Sequence, residues 1–224
     1  MHDSIGVLPH PFQPATMQLL DGKIVSESLY QKLHAQVEVL KQKNIFPALT
    51  IIIVGDNPAS LSYIKSKAKA SDKIGVASKL LHFKPDELDT AKLIAQIHEL
   101  NQDKSVHGIL VQLPLPEHIY TPEVIKAIHP AKDVDGFTAY NLGKMFLSTE
   151  FEDLAPCTPL GIIRMLEHYK VEIAGKEVVM VGASNIVGKP MAAMMINRKA
   201  TVTVCNSKTQ DLAFHTRRAD ILIV

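Results

Sequence analysis

The 224-residue sequence contains no tryptophan, few aromatic residues (5%) and only two cysteines, Cys157 and Cys205. Neither cysteine belongs to a C-x-x-C pair, so a disulfide framework and a zinc ribbon are both excluded. Free thiols of this kind suit a reducing, cytoplasmic compartment. Neither sign of charge is in excess: Lys+Arg 24 against Asp+Glu 23 leaves a net charge of +1. That balance carries no electrostatic footprint for nucleic acid or for an anionic membrane. Long hydrophobic runs are missing too, and the longest, Ala48 to Val54, is far too short to span a bilayer. The first sixteen residues hold Asp3 and no Lys or Arg, which argues against a signal or transit peptide. We read residues 1–16 as a disordered leader, with the ordered pattern beginning directly after Met17.

Metal and serine-hydrolase signatures are absent as well. His98-Glu99 lacks the second histidine of H-E-x-x-H, and His107, His118 and His129 have no ligand spacing. No G-x-S-x-G elbow occurs. Asp133-Val134-Asp135-Gly136 has the look of a calcium loop, but Ala131 and Leu142 would occupy its first and twelfth ligand positions. It remains a turn with two carboxylates, either an Asx-turn or a site for a ligand's N–H donors.

What is present is an ordinary globular composition, 46% hydrophobic and 21% charged, arranged as alternating strand and helix signals. The apolar run Leu49–Gly55 reads as a buried parallel strand, Ser60–Ile74 as a helix and Val76–Phe83 as a second strand. Asp86–Leu100 follows as a helix and Val106–Leu113 as a third strand, stopped by Pro114 and Pro116. Thr121-Pro122 opens another helix, capped by the threonine. After an irregular stretch, Leu147–Pro156, Thr158-Pro159 caps a helix through Tyr169. Lys176–Val181 and Ala200–Cys205 read as strands flanking a helix over Lys189–Asn197. This alternation predicts an α/β protein with parallel sheets and helices on both faces. The last four residues, Ile221–Val224, begin another strand whose sheet edge nothing covers, so we expect the natural chain to continue.

Gly182-Ala183-Ser184-Asn185-Ile186-Val187-Gly188 lies between a strand and a helix, where a phosphate-binding turn belongs. It departs from G-x-G-x-x-G, since Ser184 replaces the middle glycine and the last glycine comes one residue late. A purely structural turn is an equal reading of the motif alone. The next strand ends Cys205-Asn206-Ser207-Lys208, without the acid that holds ribose hydroxyls in an NAD site. A hydroxyl and a cation suit a 2′-phosphate, so NADP is expected in preference to NAD.

The helix over Ser60–Ile74 carries Lys65, Lys67, Lys69 and Lys73. Helical spacing puts Leu61, Ile64 and Ala68 on a core stripe, and Lys65, Lys69 and Lys73 on a solvent face with Ser62 and Ser66. Lys67 stands apart, on a semi-apolar stripe with Tyr63, Ala70 and Ile74, and Tyr63 is its i−4 neighbour. A lysine on a partly dry face has its ammonium disfavoured, which suits acid/base chemistry. On the pattern alone, a lysine that reaches past the tyrosine to water is the favoured reading. Gln112 closes the third strand at its carboxyl end, where ligands of open α/β sheets collect; a loop-capping glutamine is the plainer alternative.

Taken in order, VGDNPAS (54–60) with Tyr63-x-x-x-Lys67, HGILVQLPLP (107–116), HPAKDVDGF (129–137), PCTPLGI (156–162) and VGASNIVGKP (181–190) closely resemble the bifunctional methylenetetrahydrofolate dehydrogenase/methenyltetrahydrofolate cyclohydrolase family. The resemblance runs from Met17 to the last residue. It implies two domains: an amino-terminal folate-binding catalytic domain over residues 17–150 and a Rossmann NADP-binding domain over 151–224, incomplete at its carboxyl end, with the active-site cleft between them. It further implies that Lys67 is the catalytic acid/base, that Gln112 hydrogen-bonds it, that Tyr63 stacks on the pterin and that Asp135 accepts from pterin N–H groups. Gly182, Ala183 and Ser184 would contact NADP, and Ser207 would lie near its 2′-phosphate. The partners implied are tetrahydrofolate derivatives and a second copy in a homodimer, with no metal. The family's later glycine/proline-rich loop and final helix are not in this sequence. A truncated, non-catalytic folate-binding protein is therefore the second reading, and a dehydrogenase of another amino-acid or shikimate type the third.

Overall fold

The computed structural model describes residues 17–224; the expectation for residues 1–16 lies outside them. The first half is laid out as α1 (Gly22–Gln42), β1 (Ala48–Val54), α2 (Pro58–Ile74), β2 (Ala77–Phe83), α3 (Thr90–Gln102), β3 (Gly108–Val111), α4 (Thr121–Ala127) and α5 (Ala139–Leu147). The second half follows with α6 (Cys157–His168), β4 (Glu177–Val181), α7 (Gly188–Asn197), β5 (Thr201–Cys205), α8 (Leu212–Thr216) and β6 (Ile221–Ile223). Short 3-10 turns at Pro130–Lys132 and Thr149–Phe151 link the helices around them.

The strands form two separate three-stranded sheets, ordered β2-β1-β3 and β5-β4-β6. Every pairing is parallel. In each sheet the chain starts in the middle strand, steps to one side and then crosses to the other. The reversal leaves a crevice at the carboxyl end of the middle strand, where α/β proteins bind ligands. The β-branched run Ile51–Ile53 is almost completely buried because helices cover both faces of β1. Its two faces feed two apolar clusters, one around Ile52, Leu93, Ile97 and Val124, the other around Ile51, Ile53 and Ile64.

The second sheet packs on a cluster that includes Met180, Met191, Met194 and Met195. Met145 of α5 and Leu20 join that cluster, so the amino-terminal half supplies part of the wall of the second core. The backbone N–H of Asp21 also donates to the Tyr169 hydroxyl at 2.9 Å, tying the start of α1 to the end of α6.

Several helix boundaries differ from the sequence reading for local reasons. Asp89 caps α3 by accepting from the Lys92 N–H at 2.8 Å, so the helix begins there and not at Asp86. Tyr120 is the cap position of α4 and Pro156 that of α6, and neither makes a side-chain cap. Thr121 and Thr158 therefore lie inside the first turns, not at the caps. Helices α1, α5 and α8 had no counterpart in the sequence pattern. No helix among the described residues is long and apolar enough to cross a membrane.

Candidate functional site

Helix α2 is fixed at both ends. Asn57 Oδ1 accepts from the N–H groups of Ala59 and Ser60 at 3.0 and 3.2 Å, and Gly75 closes the helix in the left-handed region (φ 79°). Of its lysines, Lys65, Lys69 and Lys73 are exposed while Lys67 is half-buried. Lys73 pairs with Glu27 instead. Lys67 does not simply extend into water: its Nζ lies 3.4 Å from Gln112 Oε1.

Gln112 is held from both directions. Its backbone N–H donates to the Ile52 carbonyl at 2.8 Å, continuing the β1–β3 ladder by one residue past β3. Its side-chain Nε2 donates to the Leu113 carbonyl at 2.7 Å, which leaves Oε1 facing Lys67. The Leu113–Pro114 peptide bond is cis.

The two carboxylates of the 133–136 turn differ completely. Asp133 is buried and accepts from the N–H groups of Phe137 and Thr138 and from Asn141 Nδ2, at 3.2, 2.8 and 3.0 Å. It is the structural half of the turn. Asp135 makes none of those bonds and faces Lys67 and Cys157. Burial pushes its carboxyl above the ordinary range; the Lys67 ammonium pulls it down, the Asp133 charge pushes it up, and the Cys157 thiol lowers it. Gly136 has φ +68°, and a Cβ there would meet the Leu154 carbonyl oxygen at 2.5 Å. The turn thus packs its backbone directly against the segment leading into α6.

Cys157, the first residue of α6, was missed as a site residue. Its Sγ lies 3.5 Å from the Val134 carbonyl oxygen and 3.8 Å from Asp135 Oδ1. The residue is exposed at the surface, while neighbouring atoms crowd its sulfur. Burial, then the neighbouring Asp135 charge, pushes it up to about 11. Within the sequence only its place in the PCTPLGI segment set it apart. Tyr63, one turn before Lys67, is 67% exposed and available to a flat ligand.

The dinucleotide turn forms a second centre. Gly182, Ala183 and Ser207 line a single cavity of about 500 Å³ with Val181, Asn206 and Leu212. Gly182 has φ +128°, and a Cβ on Gly188 would meet the Gly182 carbonyl oxygen at 2.1 Å, so only glycine lets α7 start this close to β4. Ser184 does not line the cavity. Its Oγ accepts from the N–H groups of Val187 and Gly188 at 3.2 and 3.3 Å and braces the turn from within. A backbone cradle of this shape, opening a ten-residue helix and facing the Ser207 hydroxyl, fits a dinucleotide phosphate.

A larger, mostly apolar groove of about 780 Å³ runs between α4, α5 and the 185–190 turn. It contains none of the sequence-predicted site residues, and the charged side chains that line it are Lys126 and Lys189.

Comparison with known proteins places these features in context. The family model for the tetrahydrofolate dehydrogenase/cyclohydrolase catalytic domain matches residues 20–135. The model for the NAD(P)-binding domain of the same family matches residues 156–224. The chain is similar to the bifunctional protein FolD of Nautilia profundicola, 47% identical over 208 residues that cover 93% of this chain and 72% of that protein. The Campylobacter jejuni serotype O:2 protein of the same name is 48% identical over 93% of this chain and 73% of its own length. Among solved structures, the bifunctional FolD dehydrogenase/cyclohydrolase of C. jejuni superposes with a TM-score of 0.89 at 47% identity, covering 92% of this chain and 73% of that one. The Trypanosoma brucei enzyme, solved with an NADP cofactor and an inhibitor, gives 0.86 at 32% identity over 91% of this chain and 69% of that one.

Proposed function

Because the chain belongs to the tetrahydrofolate dehydrogenase/cyclohydrolase family, we propose that it oxidises 5,10-methylenetetrahydrofolate with NADP⁺ and hydrolyses the resulting methenyl cation to 10-formyltetrahydrofolate. Similarity to bifunctional enzymes over most of the chain favours this over a folate binder without catalysis. The observation that carries the reading is the approach of Lys67 Nζ to Gln112 Oε1 at the carboxyl end of the first sheet, with Asp135 close enough to feel the lysine's charge.

In this reading Tyr63 stacks its exposed ring on the pterin, and Asp135 accepts from the pterin N–H groups. Those two contacts set the one-carbon bridge over Lys67. NADP⁺, when bound, supplies the hydride acceptor for the first reaction. Gly182 and Ala183 give its phosphates a close backbone approach, and Ser207 with Lys208 offers a hydroxyl and a cation to a 2′-phosphate. No acid stands at 206–208 to repel that group.

In the second reaction water adds to the methenyl carbon. Lys67 takes the proton that the water releases and returns one to the ring nitrogen as its bond to the carbon breaks, while the hydroxyl left on that carbon loses its own proton to solvent and becomes the formyl C=O. Gln112 holds the lysine on target through both transfers, and a positioned acid/base of this kind contributes about 10²–10⁴-fold. The cytoplasmic location rests on the free thiols Cys157 and Cys205. The homodimer rests on the family resemblance.

The test is direct. The purified chain, given 5,10-methylenetetrahydrofolate and NADP⁺, should form NADPH and then 10-formyltetrahydrofolate. Binding of the folate without either product would return the non-catalytic reading to first place.

A further inference from the structure

We infer that Cys157 is a positioning residue for the folate-side carboxylate: its thiol, presented from the first turn of α6, holds Asp135 in the orientation that receives the pterin. The inference rests on the functional reading above and adds to it a residue from the dinucleotide-binding half of the chain.

Three observations converge. First, Cys157 Sγ stands 3.5 Å from the Val134 carbonyl oxygen and 3.8 Å from Asp135 Oδ1, so its single S–H proton has Asp135 and the carbonyl of the residue before it within reach. Second, that distance is not left to side-chain chance. The backbone around Gly136 packs so closely on Leu154–Pro156 that a Cβ at 136 would lie 2.8 Å from the Pro156 nitrogen, and Cys157 is the next residue. Third, Asp133 takes the backbone donors of the turn, leaving Asp135 to be oriented by groups from other elements. Those groups are Lys67 on α2 and Cys157 on α6, with the Asp133 charge beside them in the turn.

A cysteine at a helix start is ordinarily a reactive one, since the positive end of the helix favours the thiolate. Here burial and the Asp135 charge oppose that effect and the thiol is pushed up to about 11. At neutral pH it keeps its proton and serves as a donor, not as a nucleophile.

The experiment compares the full chain with Cys157→Ala and Cys157→Ser. Tetrahydrofolate binding is measured by calorimetry across pH, and iodoacetamide labelling of Cys157 is followed by peptide mass spectrometry. Cys157→Ala should bind about three- to tenfold more weakly, the worth of one hydrogen bond. Its affinity should also fail at a higher pH on the acid side, because Asp135 has lost a group that favours its charged form. Cys157→Ser, which keeps a donor, should recover most of the loss. In Asp135→Asn, labelling of Cys157 should speed up because the thiol loses the neighbouring charge, and it is the recovery in Cys157→Ser that separates a donor role from packing. Equal binding by parent and Cys157→Ala, with labelling unaffected by Asp135→Asn, would overturn this inference alone. A parent chain that binds no tetrahydrofolate would overturn the functional reading and this role with it.

Discussion

Gln112 Oε1 faces Lys67 Nζ at 3.4 Å because the other end of the same amide is committed to the Leu113 carbonyl at 2.7 Å. The amide can present only its oxygen to the lysine, so the contact is an acceptor for a lysine N–H. This arrangement aims a flexible four-carbon side chain at one point of the crevice. It also leaves α2 free of dependence on the lysine, since the helix is anchored by Asn57, Gly75 and the burial of Ile64.

Lys67→Met is therefore expected to abolish methenyltetrahydrofolate hydrolysis while the fold survives. The loss should be at least about 100-fold, the lower bound for a positioned acid/base. The thermal midpoint should stay close to that of the parent, because the deleted group makes one long, half-buried hydrogen bond. Hydrolysis at the parent rate would remove Lys67 from the mechanism.

The separation of Lys67 from Lys65, Lys69 and Lys73 was legible in the sequence because helical geometry sorts residues by angle, and the burial of the four follows that sorting. The sheets were legible for a similar reason: Ile51–Ile53 and Val178–Met180 are continuous apolar runs buried on both faces. Helix α1 was not read, although Val25, Leu29, Leu33, Val37 and Leu40 recur at four- and three-residue spacing; only Val25 and Val37 of its 21 residues are buried, so most of its surface stays open. Helix α5 hid behind a buried Asn141, whose amide donates to the Pro130 carbonyl and to Asp133. The partnership of Cys157 with Asp135 spans 22 residues and depends on backbone packing at Gly136, which no local pattern records.

Asp133 and Asp135 should respond oppositely to substitution. Asp133→Ala leaves buried backbone donors of the 137–138 segment unpaired and should cost about 2–5 kcal/mol of stability. Asp135→Asn should weaken folate binding without that loss. Its effect on pH dependence has a definite sign. With its carboxyl raised in the folded state, the native chain holds more protons than the unfolded chain above the ordinary value of 3.8, so stability falls as pH rises through that window. Asp135→Asn should flatten that fall. Urea titrations of parent and variant between acid and neutral pH measure the difference directly, and parallel curves would contradict the burial of this charge.

Ser207 offers the sharpest test of the cofactor preference. It shares a cavity with Gly182 and Ala183, and Asn206 beside it is tied down through the Lys208 and Thr209 contacts. Ser207→Asp would place a carboxylate against the 2′-phosphate and should weaken NADP binding by about tenfold or more, 1.4 kcal/mol being one factor of ten. NAD binding should change far less. Fluorescence titration with the two reduced cofactors separates these effects, and unchanged NADP affinity would sink the phosphate assignment.

One buried ion pair fastens the segment between α5 and α6 to the end of α7. Arg198 at the end of α7 donates through both terminal nitrogens to Glu152, at 2.9 Å each, and Asn197 Nδ2 donates to the Met145 carbonyl at 2.7 Å. Glu152 is only 7% exposed in its side chain, so removing its partner leaves a charge without solvent. A buried pair broken on one side costs about 3–5 kcal/mol, whereas replacing both partners by apolar groups is often neutral. Arg198→Met alone should therefore destabilise the chain by that amount, and Arg198→Met with Glu152→Leu should recover much of it. Because only the 3-10 turn Thr149–Phe151 separates Glu152 from α5, and Met145 packs in the second core, the single variant should also loosen α5. Hydrogen exchange over residues 139–152 should rise well before that of β1, whose central residues sit in a separate core. Uniform exchange across both regions would mean that the two halves unfold as one unit, with no local role for the pair.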